Sequence, residues 1–450
     1  MLNIVGLGNS SHPSRRDLLR IGALALGGLS LADLLRLRAE AGTPKETTQK
    51  SVIMVYLPGG PSHIDMYDLK PDAPVEYRGE FRPIRTNVPG MDICELMPRQ
   101  AAIADKFSIL RGIRTHGNHD PTELLTGIHA AASGTIGTVR RPAIGCVVSR
   151  LRGVNAEIPP YVSTSNHRLL ASYDDPEEPA YLGPTHRPFS AIGPITQALT
   201  RPPEITLERL DERQAILRAF DSLSREQDNP SRSFEGIDGY QRRALEMIRS
   251  TRVRDALDLN REPQSMRDLY GSAGADFLRA RRLVEAGVSV VSVAARFSVR
   301  IGDCINDPGG WDTHGYNFRL LRAKLPIYDQ AVAALLTDLS ERGMTDDVAV
   351  VIWGEFGRQP RIGDVTPDGR GHWPRASCAL IAGGGLRNGQ VVGATDPRAE
   401  NSRQRPIHAQ HVLATLYHVL GIDPAATTLT DHSGRPQFLL DYPEKIAELI

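Results

Sequence analysis

Asp312 and His314 stand two residues apart in the run GGWDTHG, which places a carboxylate and an imidazole beside a tryptophan. Residues two apart in an extended segment point the same way, so these side chains can hold one ion together. Glu355 in WGEFGR and His372 in GRGHWP add a second carboxylate and a second imidazole in glycine-rich runs. Histidine with carboxylate suits zinc, manganese or iron, whereas calcium and magnesium prefer oxygen ligands alone. We therefore predict a divalent-metal site, with zinc or manganese favoured and calcium as the remaining alternative.

These candidate ligands also have structural explanations. Glu355 can form an ion pair with the nearby Arg358 or Arg361. His372 can pack in the core beside Trp373, and Asp312 can cap the turn ahead of a helix. Arg358 can instead bind a substrate anion through two parallel hydrogen bonds. Because such residues recur at the ends of separate predicted strands, we favour one shared site over unrelated structural roles.

Two further groups of histidines and acids are candidates for the same site. His63 and Asp65 follow the first predicted strand in PGGPSHID, and a ligand role and a structural role are equally open for them. His116 and His119 lie in THGNHDP ahead of a predicted helix, for which Asp120 is a fitting N-cap. A helix N-terminus favours anions. Capping explains the aspartate of this loop but not its two histidines.

Four apolar runs predict the buried strands that must position these residues: SVIMVYL, VSVVSVAA, DVAVVIW and SCALIAGGG. Strands that are apolar on both faces are typical of parallel sheets, and helical patterns separate these four. We therefore predict an α/β fold with a mainly parallel central sheet and helices on both faces. Ligands of such sheets bind beyond the carboxyl ends of the strands, where the polar runs described above lie.

The amino terminus has the composition of an export signal. Adjacent Arg15 and Arg16 precede the apolar stretch IGALALGGLSL and a small-residue pattern at Ala39–Ala41. The paired arginines are typical of the twin-arginine pathway, which predicts a periplasmic or secreted protein. An ordinary amphipathic helix and an uncleaved anchor are the alternatives. The predicted organisation is an export signal at residues 1–41, a linker at 42–50, and an α/β domain at 51–450 with an irregular and helical insertion at about 155–265.

Charge and hydropathy exclude several classes of partner. The chain carries 53 basic and 53 acidic residues among 450, and a nucleic-acid-binding protein would need a basic excess. After the export signal, no apolar run approaches the ~20 residues of a membrane span. The four cysteines form no CxxC pair, which excludes a thiolate zinc cluster.

Six segments resemble, in order, the family that carries domain of unknown function 1501: LPGGPSHIDMYDLKP, RARRLVEAGV, GGWDTHG, GEFGRQP, GRGHWP, and IAGGG followed by GQVVGATD. The resemblance covers about residues 50–422. That family is grouped with the alkaline phosphatase and sulfatase superfamily, whose α/β fold holds one or two metals at the strand ends. The resemblance thus implies an alkaline-phosphatase-like domain acting on a small-molecule or glycan ester. It also implies a ligand set drawn from Asp312, His314, Glu355 and His372. The acidic pair that the superfamily has after the first strand is replaced here by Pro58-Gly59-Gly60, and His63 and Asp65, displaced downstream, are the further candidate ligands.

The chain departs from the superfamily pattern at the nucleophile. The superfamily reacts through Ser, Thr or formylglycine, but the motif C-x-P-S-R is absent. Thr115 is the best candidate nucleophile, with metal-activated water as the alternative. His116 or His119 can act as general acid for the leaving group. Asn118 and Arg358 are the candidate substrate-binding residues.

Two functions from different classes follow. The first is an exported, metal-dependent hydrolase of sulfate or phosphate esters. The second is a non-catalytic protein that binds anionic or sulfated glycans in the same cleft, which the missing nucleophile motif favours.

Overall fold

The computed structural model describes residues 49–117, 119–129, 140–153, 158–164, 176–192, 251–302, 305–403 and 406–450. The predicted export signal lies outside these residues, as does the central part of the predicted insertion. Within the described ranges the strands are β1 (Ser51–Tyr56), β2 (Pro83–Arg85), β3 (Asp92–Cys94), β4 (Phe107–Arg114), β5 (Tyr161–Ser163), β6 (Phe189–Ser190), β7 (Val290–Ala294), β8 (Val299–Ile301), β9 (Ile305–Asp307), β10 (Val348–Trp353), β11 (Gly357–Arg358), β12 (His372–Trp373), β13 (Ser377–Gly383), β14 (Val391–Val392), β15 (Ile407–His408), β16 (Thr428–Thr430) and β17 (Pro436–Phe438).

The α-helices in the same ranges are α1 (His63–Met66), α2 (Val75–Arg78), α3 (Pro98–Ala101), α4 (Thr122–Thr126), α5 (Ile144–Arg152), α6 (Thr251–Leu257), α7 (Gln264–Tyr270), α8 (Ala275–Glu285), α9 (Asn317–Glu341) and α10 (Ala409–Val419). Within the described part of the chain, none of the helices combines the length and the hydropathy that crossing a bilayer requires.

A large sheet organises the described residues, with strand order β14-β4-β13-β10-β1-β7-β5-β6 and with β15 also pairing with β4. β1, β10 and β13 are buried along their whole length, as their apolar sequences predict. β1 pairs in parallel with both β10 and β7, and β5 continues the parallel part beyond β7. The predicted fold class, a mainly parallel α/β sheet, is therefore confirmed.

Helices cover both faces of this sheet. Ile53 and Val55 of β1 pack in one core with residues of α8 and α9. Val52 and Met54 alternate with them and pack in a second core with residues of α5 and α10. The alternation follows from the two-residue period of a strand, which sends successive side chains to opposite faces.

Two parts of the sheet were not expected from the sequence. β4 is not among the predicted strands, because Arg111 and Gly112 interrupt its apolar run FSILRGIR. Gly112 has a φ of +76°, and the register with β13 shifts nearby, between Ser377 and Cys378. β5 and β6 lie inside the predicted insertion, yet both extend the central sheet.

Five strands of the sheet each have one end at the same edge. The carboxyl ends of β1, β7 and β10 meet there because these strands are parallel. β13 runs antiparallel to β10 and pairs Ala379 with Trp353, so its amino end lies at the same edge. β4 runs antiparallel to β13 and pairs Ile113 with Ser377, which brings its carboxyl end there too. Segments distant in sequence therefore converge at this edge.

Candidate metal centre

Four side chains at this edge form a group that could hold a metal ion: His119, Asp312, His314 and His372. Each offers one ligand atom, and the four atoms all lie within 4.8 Å of one another. His119 follows β4, Asp312 and His314 lie between β9 and α9, and His372 belongs to β12. We refer to these four residues as the metal group.

The three imidazole rings of the metal group present the same nitrogen to one carboxylate. His119 Nε2 lies 3.1 Å from Asp312 Oδ2. Asp312 Oδ1 lies 3.2 Å from His314 Nε2 and 3.4 Å from His372 Nε2. Three nitrogen donors and one carboxylate therefore point at a common centre.

The other nitrogen of each ring faces a hydrogen-bond acceptor. His119 Nδ1 lies 3.3 Å from Glu355 Oε1, and His372 Nδ1 lies 3.3 Å from the Gly117 carbonyl oxygen. His314 Nδ1 contacts Asp364 Oδ2. An N–H on Nδ1 leaves the lone pair on Nε2, the form in which histidine binds a metal.

The residues present fit a metal ion. His372 Nε2 is buried and makes no hydrogen bond within the described residues. Its contact with Asp312 Oδ1 at 3.4 Å falls outside hydrogen-bonding geometry, and a metal at the common centre would give this buried atom a bonded partner. Imidazole and carboxylate are ligand types that zinc prefers.

The charges in and around the metal group favour binding of a divalent cation. Partial burial opposes ionisation of Asp312, but the His119 and His372 rings and the Arg358 guanidinium outweigh it and hold the pKa of Asp312 well below its usual range. Hydrogen bonds to Asp312 and Glu355 raise the pKa of His119 to about 9. Carboxylates that draw a proton onto His119 in this way will also attract a divalent cation.

Glu355 lies behind His119 and outside the metal group. Its side chain is buried and accepts hydrogen bonds from the Gly59 and Gly60 N–H groups, at 2.8 and 3.2 Å. The turn after β1 thus binds this carboxylate, which orients the ring of His119. Glu355 is thus not one of the four residues of the metal group, contrary to the predicted ligand set, and Arg358, its alternative ion-pair partner, instead contacts Asp312.

Arg358 supports the metal group from a buried position. Its Nε donates to the Gly60 carbonyl at 2.8 Å, and its Nη2 contacts the Gly59 carbonyl and Asp312 Oδ1. The side chain is 0% exposed, so a substrate anion arriving from solvent cannot reach it. Its position accounts for the orientation of Asp312 and does not support the predicted substrate-binding role.

The structure does not bring His63 and Asp65 into the metal group. Both are 1% exposed. Asp65 pairs with Arg370, whose Nε and Nη2 donate at 2.8 and 3.0 Å, and also accepts from Asn317 Nδ2 at 3.0 Å. His63 Nε2 lies 3.0 Å from the Ala399 carbonyl oxygen. These contacts account for the Asp65 carboxylate and for His63 Nε2 without a metal.

The candidate catalytic residues lie on the loop that carries His119. Thr115 Oγ1 is buried and has no hydrogen-bond partner among the described residues. His116 is 58% exposed, its Nδ1 lies 3.0 Å from Glu123 Oε2, and its ring stacks on His129 with centroids 4.5 Å apart. Asn118 lies outside the described residues.

Comparison with known proteins identifies the family. Residues 49–450 match the family described as Protein of unknown function (DUF1501). The chain belongs to this family. The resemblance found in the sequence is thereby confirmed, and no curated protein matches this DUF1501 member in sequence.

Several solved structures show a low similarity to this chain. A sulfatase, PsFucS1, from Pseudoalteromonas sp. is 10% identical at a TM-score of 0.37, covering 88% of this chain and 71% of its own. A phosphonate monoester hydrolase from Silicibacter pomeroyi is 14% identical at a TM-score of 0.37, with coverages of 83% and 73%. The lipoteichoic acid synthase LtaP from Listeria monocytogenes is 10% identical at a TM-score of 0.31, with coverages of 86% and 78%.

The sequence does not indicate Asp364 as part of this site, and it does not indicate His119 as a metal ligand. The sequence does not single out Asp364, because an aspartate in the polar run RIGDVTPDG has the composition of an ordinary loop. It indicates His119 as a candidate for this site and as a general acid but not as a metal ligand, because the strand that ends before it is not among the predicted strands. Its place two residues after His-Gly in THGNHD carries no spacing signal for a metal ligand.

Proposed function

We propose that this DUF1501 member is a divalent-metal-dependent hydrolase of phosphate or sulfate esters. Its metal ion is bound by His119, Asp312, His314 and His372. One observation carries the proposal: three imidazoles turn Nε2 towards one carboxylate while each Nδ1 faces an acceptor. Zinc suits this donor set best, with manganese next.

A metal bound there would supply a Lewis acid that polarises an ester or phosphoryl oxygen. The protein's own residues supply the orientation of that centre. Arg358 holds the Asp312 carboxylate, and Glu355 holds the ring of His119. Both act from buried positions, so substrate can approach without displacing them.

His116 is placed to transfer a proton to the leaving group. It is the exposed histidine of the loop, and its Nδ1 is held by Glu123. Its neighbour Gly117 accepts from His372 through its carbonyl, which ties this loop to the metal group. An exposed imidazole whose second nitrogen is held by a carboxylate suits general acid catalysis.

A second candidate function is a non-catalytic protein that binds anionic or sulfated glycans at the same cleft. The burial of Thr115 Oγ1 favours it, because a hydroxyl that solvent does not reach is poorly placed to attack an external ester. If the protein is a hydrolase, the burial of Thr115 Oγ1 favours water over Thr115 as the nucleophile.

Metal analysis and turnover assays separate these functions. We expect the purified protein to contain about one zinc or manganese ion per chain, and Asp312→Ala and His314→Ala to lose it. Aryl sulfates, phosphomonoesters and phosphodiesters are then tested with each metal. His116→Ala is the matched variant that should keep the metal but lose turnover by about 10²- to 10⁴-fold.

The outcomes are distinct. Metal content that is unchanged in both ligand variants excludes the metal site. Metal binding without turnover of any ester, together with saturable binding of a sulfated glycan, identifies the non-catalytic function.

We also propose that the protein is exported by the twin-arginine pathway, from the paired arginines at the amino terminus. Replacing both Arg15 and Arg16 by lysine should retain the protein in the cytoplasm, measured by cell fractionation. Periplasmic protein at the level of the unsubstituted chain would exclude this route. Amino-terminal sequencing of the exported form tests cleavage after Ala41.

A further inference from the structure

We infer that Asp364 is a positioning residue of the metal group, which orients the ring of His314 so that Nε2 faces the ion. The inference rests on the proposed metal site and extends it to a carboxylate outside the four ligands. Asp364 contacts the metal group at His314, through the ring nitrogen that does not face the ion.

The contact between the two side chains carries the inference. His314 Nδ1 contacts Asp364 Oδ2, while Nε2 of the same ring lies 3.2 Å from Asp312 Oδ1. Carboxylates only accept hydrogen bonds, and His314 faces one at each nitrogen, Asp364 at Nδ1 and Asp312 at Nε2. A metal ion takes the place of a proton at Nε2, and Asp364 then keeps the N–H of the ring on Nδ1.

The loop that carries Asp364 is fastened to the backbone around His314. Three hydrogen bonds join the two segments: Val365 N–H to His314 O (3.1 Å), Tyr316 N–H to Thr366 Oγ1 (2.9 Å) and Arg370 N–H to Thr313 O (3.0 Å). Gly369 lies so close that a Cβ there would be 1.8 Å from the His314 carbonyl oxygen. This spacing requires glycine, and it keeps the carboxylate in register with the ring.

An exposed ion pair without function is the alternative explanation. The Asp364 and His314 side chains are 32% and 36% exposed, and pairs at such exposure contribute little to stability. The other two rings argue against this explanation. His119 and His372 also have an acceptor at Nδ1, so Asp364 completes a pattern that all three rings share.

Zinc affinity of matched variants tests the inference. Asp364→Asn should raise the zinc dissociation constant by about 10- to 100-fold, as loss of a carboxylate behind a ligating histidine does. Asp368→Asn is the control, because Asp368 lies on the same loop and its substitution removes the same charge. Its carboxylate accepts a hydrogen bond from Thr366 Oγ1 at 2.6 Å. The dissociation constants are measured by competition with a chromophoric chelator.

Two further readouts separate positioning from general loss of structure. The visible absorption of the Co²⁺-substituted protein should change in Asp364→Asn and recover partly in Asp364→Glu, since glutamate restores the carboxylate. The unfolding midpoint of the metal-free protein should be the same for Asp364→Asn and Asp368→Asn.

The failures are distinguishable. If the unsubstituted protein binds no zinc, the proposed metal site is wrong and the inference falls with it. If it binds zinc and Asp364→Asn binds as tightly as Asp368→Asn, only the role of Asp364 is wrong. A lower metal-free unfolding midpoint for Asp364→Asn, with an unchanged cobalt spectrum, would also overturn the inference.

Discussion

At the scale of single residues, the acceptors around the metal group form an inner and an outer set. Asp312 faces the Nε2 atoms of the three rings. Glu355, Asp364 and the Gly117 carbonyl face the Nδ1 atoms. A change in the inner set removes a ligand, whereas a change in the outer set acts only through the orientation of a ring.

The protonation of His119 gives a prediction at this scale. Its pKa is raised from 6.5 to about 9 in the metal-free protein, by hydrogen bonds to Asp312 and Glu355. A raised folded-state pKa stabilises the fold fully below pH 6.5, and the contribution is lost as pH rises through about 9. A metal must displace this proton, so we expect zinc affinity to rise with pH up to about 9. Titration calorimetry in buffers of different ionisation enthalpy measures the proton released.

Glu355→Gln is the matched variant for His119. Removing the charge should lower the pKa of His119, measured by NMR of the metal-free protein, and should weaken the pH dependence of zinc binding. A zinc affinity that does not change between pH 7 and 9 would show that His119 is not protonated in the metal-free site.

At the scale of elements, the turn after β1 binds both the Glu355 carboxylate and the Arg358 guanidinium. The Gly59 and Gly60 N–H groups donate to Glu355, and their carbonyl oxygens accept from Arg358. Both glycines have positive φ angles, +107° and +72°, which side chains rarely adopt. The turn therefore positions His119 through Glu355 and Asp312 through Arg358.

Gly60→Ala should destabilise the protein and weaken metal binding together. A Cβ at Gly60 would lie 2.3 Å from ring atoms of Phe356. The left-handed backbone alone costs about 1–2 kcal/mol with alanine, and the overlap adds about 1–3 kcal/mol. Urea denaturation measures the free energy of unfolding, and chelator competition measures zinc affinity.

Gly90→Ala is the control for that substitution. Gly90 has a similar φ of +83°, and a Cβ there meets no atom within 4 Å. It should show only the backbone cost of about 1–2 kcal/mol, with zinc affinity unchanged. Equal losses of stability in the two variants would show that the Phe356 contact has no effect.

At the scale of the whole molecule, Arg370 joins segments that are far apart in the chain. It is 0% exposed. Its guanidinium pairs with Asp65 and donates to the carbonyl oxygens of Tyr77 and Gln359, at 2.9 and 3.1 Å. The loop that carries Asp364 and the segment after β1 are therefore held by one buried cation.

Arg370→Met should lower the free energy of unfolding by about 3–5 kcal/mol, because it leaves the negative charge of the buried Asp65 carboxylate without a cationic partner. The double variant Asp65→Asn with Arg370→Met should recover part of the loss, since it removes both charges. Urea denaturation of the single and double variants measures the difference.

Arg322→Met is the matched control. Arg322 pairs with Glu80 at 2.8 Å, but both side chains are more than half exposed. Loss of such a pair costs about 0–1 kcal/mol. A loss at Arg370 as small as the loss at Arg322 would contradict the structural role given to the buried pair.

Most of the sheet was predictable because buried strands need long apolar runs. β1, β7, β10 and β13 all coincide with predicted strands. β4 was not predictable in this way, because Arg111 lies within it and its bulge follows from pairing with β13. The antiparallel direction of β13 was also open, since apolar composition does not determine strand direction.

The sequence alone determined the α/β fold class and drew attention to Asp312, His314 and His372, because residue type and local spacing are properties of the chain. Only the tertiary structure decided which side chains meet. β4 and the antiparallel β13 bring His119 and His372 to one sheet edge. The N–H groups of the turn after β1 bind Glu355 and hold it next to Nδ1 of His119. Contacts between distant segments depend on strand order and direction, and no local pattern encodes these.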